Sequence, residues 1–321
     1  VPSPVPEMLW AAADPHEVLR DRFGHVDGAS VVTWLRDVLR THWQVEVVHC
    51  SRLVLSDANA LAWVSTRDRG TLVAKWCVAP ARTPRLRTVA DLTAWLDRRG
   101  LPVSAPLLAD DGQLLVEVDG ALVGLQREVE GDLLDVTDAR QVVEAGRTVA
   151  RLHTALAAYD GGVPGPHETR TLRERLTAWL AHAPPHLLPR HLDALRHRLA
   201  KAPTDEPERQ VVHGDVRAAN LLVRGGRVVA VLDLEEARHD HAVVELARSA
   251  VLLGTRFRGW GPVPAPVRAG YVAAYDGGRA RSEVERGWWP ALELWQALAM
   301  VPAGDDPTGW GAAVEELLRD G

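Results

Sequence analysis

The chain has 321 residues with a net charge of −6 and an ordinary charged fraction of 25%, long enough for one large domain or two lobes. The acid excess argues against a nucleic-acid partner, which draws on a basic face, and tolerates a cationic one. No apolar run reaches bilayer length and the opening VPSPVPEMLW lacks the basic and apolar regions of a signal peptide, so a cytoplasmic protein with no membrane partner is expected.

The first predicted element is an amphipathic helix over 28–42. Residues 44–79 then change period: VEVVHCSRLVL, ALAWVST and TLVAKWCV, separated by SDAN and RDRG, read as three antiparallel strands. Cys50 and Cys77 fall in these strands as buried small hydrophobes, with no disulfide or metal spacing. A helix over 87–99 closes at Gly100 and Pro102, and strands at 113–118 and 121–129 flank the hairpin turn Asp119-Gly120. Residues 1–128 thus read as a helical extension and a five-stranded antiparallel sheet with one helix. From there to residue 321 the character is mainly helical. Asp138 with Gln141 resembles a capping box, and Val142, Gly146, Val149, His153 and Leu156 recur at helical spacing. Loops at 160–170 and 183–189 flank a helix ending near His182, and a helix over 241–253 precedes a tryptophan-rich tail.

The chemistry concentrates in residues 211–237, VVHGDVRAANLLVRGGRVVAVLDLEEA, where His213, Asp215, Asn220 and Asp233 interrupt an apolar run. Strands at 221–224 and 227–232, closed by Gly225-Gly226, would bring Asn220 opposite Asp233. An H-x-D-x(4)-N segment followed by a hairpin and an Asp is the wiring of a kinase-type phosphoryl-transfer enzyme. Asp215 would accept the proton of the acceptor hydroxyl, while Asn220 and Asp233 would offer hard oxygens to Mg²⁺. Upstream, TLVAKWC sets Lys75 in mid-strand, like the V-A-I-K lysine that holds the α- and β-phosphates. Only Lys75 and Lys201 are lysines among 37 basic residues, so a compact ammonium at this position stands out against the prevailing arginine. The turn from Ser56 to Asn59 lacks G-x-G-x-x-G, leaving phosphate cradling to its backbone and to the Ser56 or Asn59 side chain. No Walker A sequence is present, which excludes a P-loop NTPase.

HGDVRAAN, VLDLEEA and ELAR together resemble the aminoglycoside phosphotransferase and choline kinase-like family of small-molecule kinases. SDANALAWV, VAKW, GLPVSAPLL and VARLH follow that family's order, over residues 45–255. The resemblance implies an α+β, protein-kinase-like bilobal fold with an antiparallel-sheet N-lobe, a mainly helical C-lobe and a nucleotide between them. It implies ATP or GTP as phosphate donor and Mg²⁺ as cofactor. On it, Asp215 is the catalytic base, Asn220 and Asp233 are metal ligands and Lys75 is the phosphate lysine. Gln126, Arg127, Glu128 and Val129 match the hinge that holds the adenine, with Ala74, Leu222 and Leu232 around the base. Arg217 stands where serine/threonine protein kinases direct a lysine at the γ-phosphate. His213 and His153 would organise the catalytic loop and Glu245 would bond to it. Residues 76–100 contain no glutamate to pair with Lys75, and Asp91 is the candidate replacement.

The implied activity is transfer of a γ-phosphate to the hydroxyl of a small molecule: an antibiotic, an amino alcohol such as choline, or an amino acid such as homoserine. The acceptor is expected among residues 170–200 and 288–310, where Trp288, Trp289, Trp295 and Trp310 either line it or pack the core. Asp132, Asp135, Glu235 and Glu236 would suit a cationic acceptor. A kinase of Ser or Thr in a biosynthetic peptide is the alternative enzyme. A non-catalytic nucleotide-binding regulator is the alternative from another class, against which all four key positions are filled.

Overall fold

Residues 3–163 and 169–319 are described in this computed structural model, so part of the expected loop over 160–170 lies outside the described residues. The chain divides into two compact units, Val1–Glu130 and Gly131–Gly321.

The first unit opens with strand β1 (Pro6–Met8) and helices α1 (Pro15–Phe23) and α2 (Gly28–Trp43). Asp14 caps α1 by accepting from the His16 amide (2.8 Å), and a reciprocal Asp27–Ser30 box caps α2. Then come β2 (Val47–Leu55), β3 (Asn59–Thr66), β4 (Thr71–Cys77), α3 (Thr83–Asp97), β5 (Val116–Val118) and β6 (Ala121–Arg127). The sheet order is β1-β2-β3-β4-β6-β5, and α1 and α2 pack Leu19, Leu35, Leu39 and Trp43 into its core. Cys50 and Cys77 are both buried there, as expected.

This sheet departs from the expected five antiparallel strands. A sixth, β1, lies parallel to β2, with Pro6 opposite Leu53. Three residues beginning with proline show no period, so nothing in the sequence marks it as a strand. Helix α3 begins at Thr83, ahead of the expected 87, because Pro84 is acceptable in a first turn whose amides have no helical partner. The strand expected from 113 shortens to Val116, since Gln113 accepts from the Ala109 amide in a turn at Gly112. Asp119 and Gly120 are both left-handed, at φ 51° and 80°, and turn β5 into β6 as expected.

The second unit runs β7 (Asp132–Leu133), α4 (Ala139–Ala157), α5 (Leu172–Ala181), α6 (Pro189–Lys201), β8 (Arg209–Val212), β9 (Leu221–Arg224), β10 (Arg227–Val231), β11 (Arg238–His241), α7 (Ala242–Leu252), α8 (Ala265–Gly278), α9 (Glu283–Leu298) and α10 (Trp310–Arg319). Asp138 caps α4 through the Arg140 amide (2.8 Å), while Gln141 accepts from the Asp135 amide instead of completing a box. Helices α5, α6, α7, α9 and α10 share one apolar core. The strands form two small ribbons, β10-β9-β7 and β11-β8. Together the two units give the protein-kinase-like architecture of a sheet-based N-terminal unit and a mainly helical C-terminal one. No helix among the described residues is long and apolar enough to cross a membrane.

Candidate active site

β9 and β10 turn at Gly225 (φ 59°) and Gly226 (φ 74°), the doubly left-handed geometry that matches strand twist in a two-residue hairpin. The Leu232 amide donates to the Asn220 carbonyl (2.9 Å), which carries the ladder to the hairpin root and sets Asn220 against the residue before Asp233. Asp233 occupies left-handed backbone (φ 61°, ψ 63°), a state that costs energy in a non-glycine residue and recurs at functional positions. β8 pairs with β11, Val212 opposite Arg238, so residues 209–241 close on themselves. Gly214 (φ 91°) lies where the arms meet, and a Cβ there would stand 2.2 Å from the Glu236 carbonyl oxygen. Only glycine fits.

Within this frame Asp215 Oδ2 accepts from Asn220 Nδ2 (3.0 Å) and Arg217 Nε (2.9 Å). Asn220 Nδ2 also donates to the Asp215 carbonyl (2.7 Å), so the amide nitrogen is fully committed to the loop. Asn220 Oδ1 is then the atom left for a cation, and Asp215 Oδ1 the atom left for a hydroxyl. With the Asp233 carboxylate, this donor set suits Mg²⁺, which takes one or two protein oxygens and completes its shell from phosphates and water. Among the described residues no group of three or more His, Cys, Asp or Glu makes a metal cluster of protein ligands alone.

A buried chain of polar groups holds the loop from behind. His213 donates from Nε2 to the Leu232 carbonyl (2.8 Å) and accepts at Nδ1 from the Asp215 amide (3.2 Å), which fixes the neutral Nε2–H tautomer. Glu245, on α7, accepts from the His213 amide (2.9 Å) and the Gly214 amide and lies 2.7 Å from His153 Nε2. His153 Nδ1 meets the Tyr275 hydroxyl (2.8 Å), which accepts from Arg279 (3.0 Å), itself paired with Glu285 (3.1 Å). Burial alone would raise the Glu245 carboxyl, but the bond and charge of His153, with the Gly214 amide, bring it down to about 2. Burial likewise pushes the Tyr275 phenol up. Glu245 and both histidines therefore sit as the sequence reading expects, whereas Tyr275 extends the chain to α8 unannounced by any motif.

In the first unit Lys75 lies in β4 opposite Leu61 and Gly124, half-buried between the buried Ala74 and Trp76. Gln126 and Arg127 extend β6 opposite Val73 and Leu72, the Glu128 amide donates to Thr71 O (3.3 Å), and Val129 is half-buried just beyond. The Ser56 amide (2.8 Å) and hydroxyl (3.0 Å) both donate to the Asn59 carbonyl, which ties off the turn between β2 and β3. Asp57 at its tip pairs with Arg22 (3.1 Å) and Arg82 (3.6 Å). Asp91 lies exposed on α3. Leu222, opposite Ala230, and Leu232 are half-buried on the hairpin of the second unit. Asp215, Arg217 and Asn220 are thus joined directly, with Leu232 and Asp233 at the same hairpin root.

The expected acceptor residues fare differently. Trp288 and Trp310 are buried in the helical core, where Trp288 Nε1 donates to Asp205 O (2.9 Å). Trp289 and Trp295 are half-buried and pack against it. Asp132 and Asp135 line a recess of about 480 Å³ with Gly225 and Gly226, at the tip of the hairpin. Four strand residues separate that tip from Asn220, or about 13 Å. The aromatic beside this cluster is Trp260, which the sequence reading missed. It is 39% exposed, and the Arg217 guanidinium lies 5.0 Å from its ring centre. RFRGWGPVP, aperiodic and punctuated by glycine and proline, marks a loop around this tryptophan but not the contact it makes.

The sequence model of the phosphotransferase enzyme family matches residues 52–285. The homoserine kinase of Methylobacillus glycogenes is 29% identical over 215 residues, a match that takes in 63% of this chain and 63% of that relative. The chain therefore spans less than two thirds of that relative's length. Among solved structures, the macrolide 2'-phosphotransferase MphH of Brachybacterium faecium superposes with a TM-score of 0.58 at 18% identity, covering 90% of this chain and 98% of that one. Amicoumacin kinase hAmiN, solved in complex with AMP-PNP, Ca²⁺ and Ami, gives a TM-score of 0.55 at 13% identity and 95% of both chains. At such identities the structural likeness speaks for the fold.

Proposed function

The chain belongs to the phosphotransferase enzyme family, and on that premise we propose that it transfers the γ-phosphate of ATP or GTP to a hydroxyl of a small molecule. Asp215 Oδ1 takes the proton of the acceptor O–H as that oxygen bonds to the γ-phosphorus. The bond from phosphorus to the β,γ-bridging oxygen breaks, the nucleoside diphosphate leaves with its electron pair, and Asp215 returns the proton to solvent. Arg217 and Asn220 hold the carboxylate in register for this, and Lys75 would fix the α- and β-phosphates. Asn220 Oδ1 and Asp233 would hold Mg²⁺, which supplies charge neutralisation on the phosphates. For the nucleotide base we propose the backbone of residues 126–129, with Ala74, Leu222 and Leu232 against its faces.

The observation that carries this reading is the double anchorage of the Asn220 amide nitrogen on Asp215. It turns base and metal ligand into one rigid unit, a cost with no return in a mere capped turn. Among acceptors, the relatives named homoserine kinases favour an amino-acid alcohol over an antibiotic. The test is nucleotide consumption by purified protein with Mg²⁺ against hydroxy amino acids, amino alcohols and aminoglycosides, beside calorimetric binding of a non-hydrolysable nucleotide. Binding should tighten with Mg²⁺, and Asp233→Ala should abolish that dependence. Equal affinity with EDTA present would refute the metal assignment.

A further inference from the structure

Arg217 is held less by its own bonds than by what surrounds it. Its side chain is 12% exposed and Nε donates to Asp215 Oδ2 (2.9 Å), while Nη1 is buried with no hydrogen-bond partner among the described residues. An unpaired buried N–H is costly, and a free arginine would carry that nitrogen out to water. What lies against the group is Trp260, whose ring centre is 5.0 Å from the guanidinium carbon. The ring quadrupole attracts the cation, and more strongly where water is excluded.

The loop that carries Trp260, between α7 and α8, is fastened on both sides of it. The Leu253 and Thr255 carbonyls accept from the catalytic-loop amides of Ala218 (2.8 Å) and Ala219 (3.3 Å). The Trp260 carbonyl accepts from Nε1 of Trp310, the buried residue that opens α10 (2.6 Å). Beyond it, the Val263 carbonyl accepts from the buried Arg268 of α8 (2.7 Å). The indole is therefore pinned through its own backbone to the helical core, and a fixed ring restricts the side chain packed on it. Asp215 Oδ2 receives two donors, Asn220 Nδ2 and Arg217 Nε. With one of them loose, the carboxylate is free to turn about its broad terminal torsion.

Resting on the phosphotransferase reading, we propose that Trp260 is a positioning residue for the transfer: its ring keeps Arg217 Nε on Asp215 Oδ2, and so keeps Oδ1 aimed at the acceptor hydroxyl. Trp260 acts through Arg217 and touches neither nucleotide nor acceptor. The stake is geometric, since a displacement of about 1 Å can cost about 10²-fold in rate.

The experiment is a double-mutant cycle of Trp260→Ala and Arg217→Gln, read as transfer from MgATP to L-homoserine, or to the best acceptor of the panel above if homoserine does not serve. Trp260→Ala should lower kcat by roughly 5–30-fold, the range of a partly desolvated cation–π contact, and leave KM for both substrates within about twofold. Trp260→Phe, which restores an aromatic face, should recover most of that loss. In the Arg217→Gln background, Trp260→Ala should change kcat by less than about twofold, because its only route to the base is already cut. The ring is 39% exposed, so Trp260→Ala should fold and melt close to wild type. An unchanged kcat, a loss that adds fully to that of Arg217→Gln, or an effect confined to acceptor KM overturns the proposal. A second readout needs no turnover: the Arg217 Nε–H, assigned in ¹⁵N spectra by its absence from Arg217→Lys, should exchange with water at least about tenfold faster in Trp260→Ala. Equal exchange overturns the proposal even where Arg217→Gln does not fold. If nucleotide neither binds nor turns over, the phosphotransferase reading itself has failed, and the exchange rate still decides whether Trp260 holds Arg217.

Discussion

At Asp215, Oδ2 is committed to Asn220 and Arg217, so the proposed proton transfer falls on Oδ1. Asp215→Asn keeps the size and removes the charge. It should fold, bind Mg²⁺–nucleotide, and lose at least about 10²-fold in kcat and kcat/KM together. Near-wild-type turnover in that variant would refute the assignment. Lys75→Arg probes the other unit. If the ammonium grips phosphates, the larger planar head should cost most of the activity while circular dichroism and melting stay unchanged. A fully active arginine variant would make Lys75 an ordinary strand residue. These positions were legible because their types are unusual where they stand: a carboxylate and an amide five apart in an apolar run, and one of two lysines in an arginine-rich chain. Trp260 was not. Nothing local distinguishes a tryptophan that stacks on a distant arginine from the eleven others, since exposure and stacking are set by tertiary packing.

The hairpin formed by β9 and β10 shows what an element can announce about itself. Two consecutive glycines between short apolar runs specify the turn, and φ is positive at both. Gly225→Asn should be nearly neutral, because asparagine tolerates left-handed backbone, whereas Gly225→Val should lower stability by about 1–2 kcal/mol and weaken Mg²⁺-dependent nucleotide binding. Urea unfolding and calorimetry on both variants check this, and a neutral valine would mean the turn does not set the site. Elements whose ends depend on distant partners were less legible. β1 exists because Leu55 and its neighbours offer an open edge, as the bond from the Leu9 amide to Leu55 O shows (2.9 Å). β8 and β11 form only by pairing across the intervening loop, and four-residue strands carry too little pattern to be seen alone.

For the second unit as a whole, the polar chain from Glu245 through His153 and Tyr275 to Arg279 ties the catalytic loop to α4, α7 and α8. Its carboxyl, ordinarily near 4.5, is held down to about 2, so the folded state binds fewer protons than the unfolded one in that interval. The stability it contributes is complete above about pH 4.5 and lost as the pH falls through about 2. Glu245→Gln should flatten the acid limb of stability over this window and cost about 1–3 kcal/mol at pH 7. Urea midpoints of the two proteins measured from pH 3 to 7 decide it, and parallel profiles would remove Glu245 as the anchor. One consequence concerns α7 itself, in which every residue but Arg248 is buried. A helix enclosed on all sides cannot open without the unit opening around it, so its amides should be among the last to exchange deuterium. Glu245 receives the His213 and Gly214 amides from that helix, and those two loop amides should share its protection. The segment proposed to do the chemistry would then exchange on the clock of global unfolding, not at the pace of a surface loop.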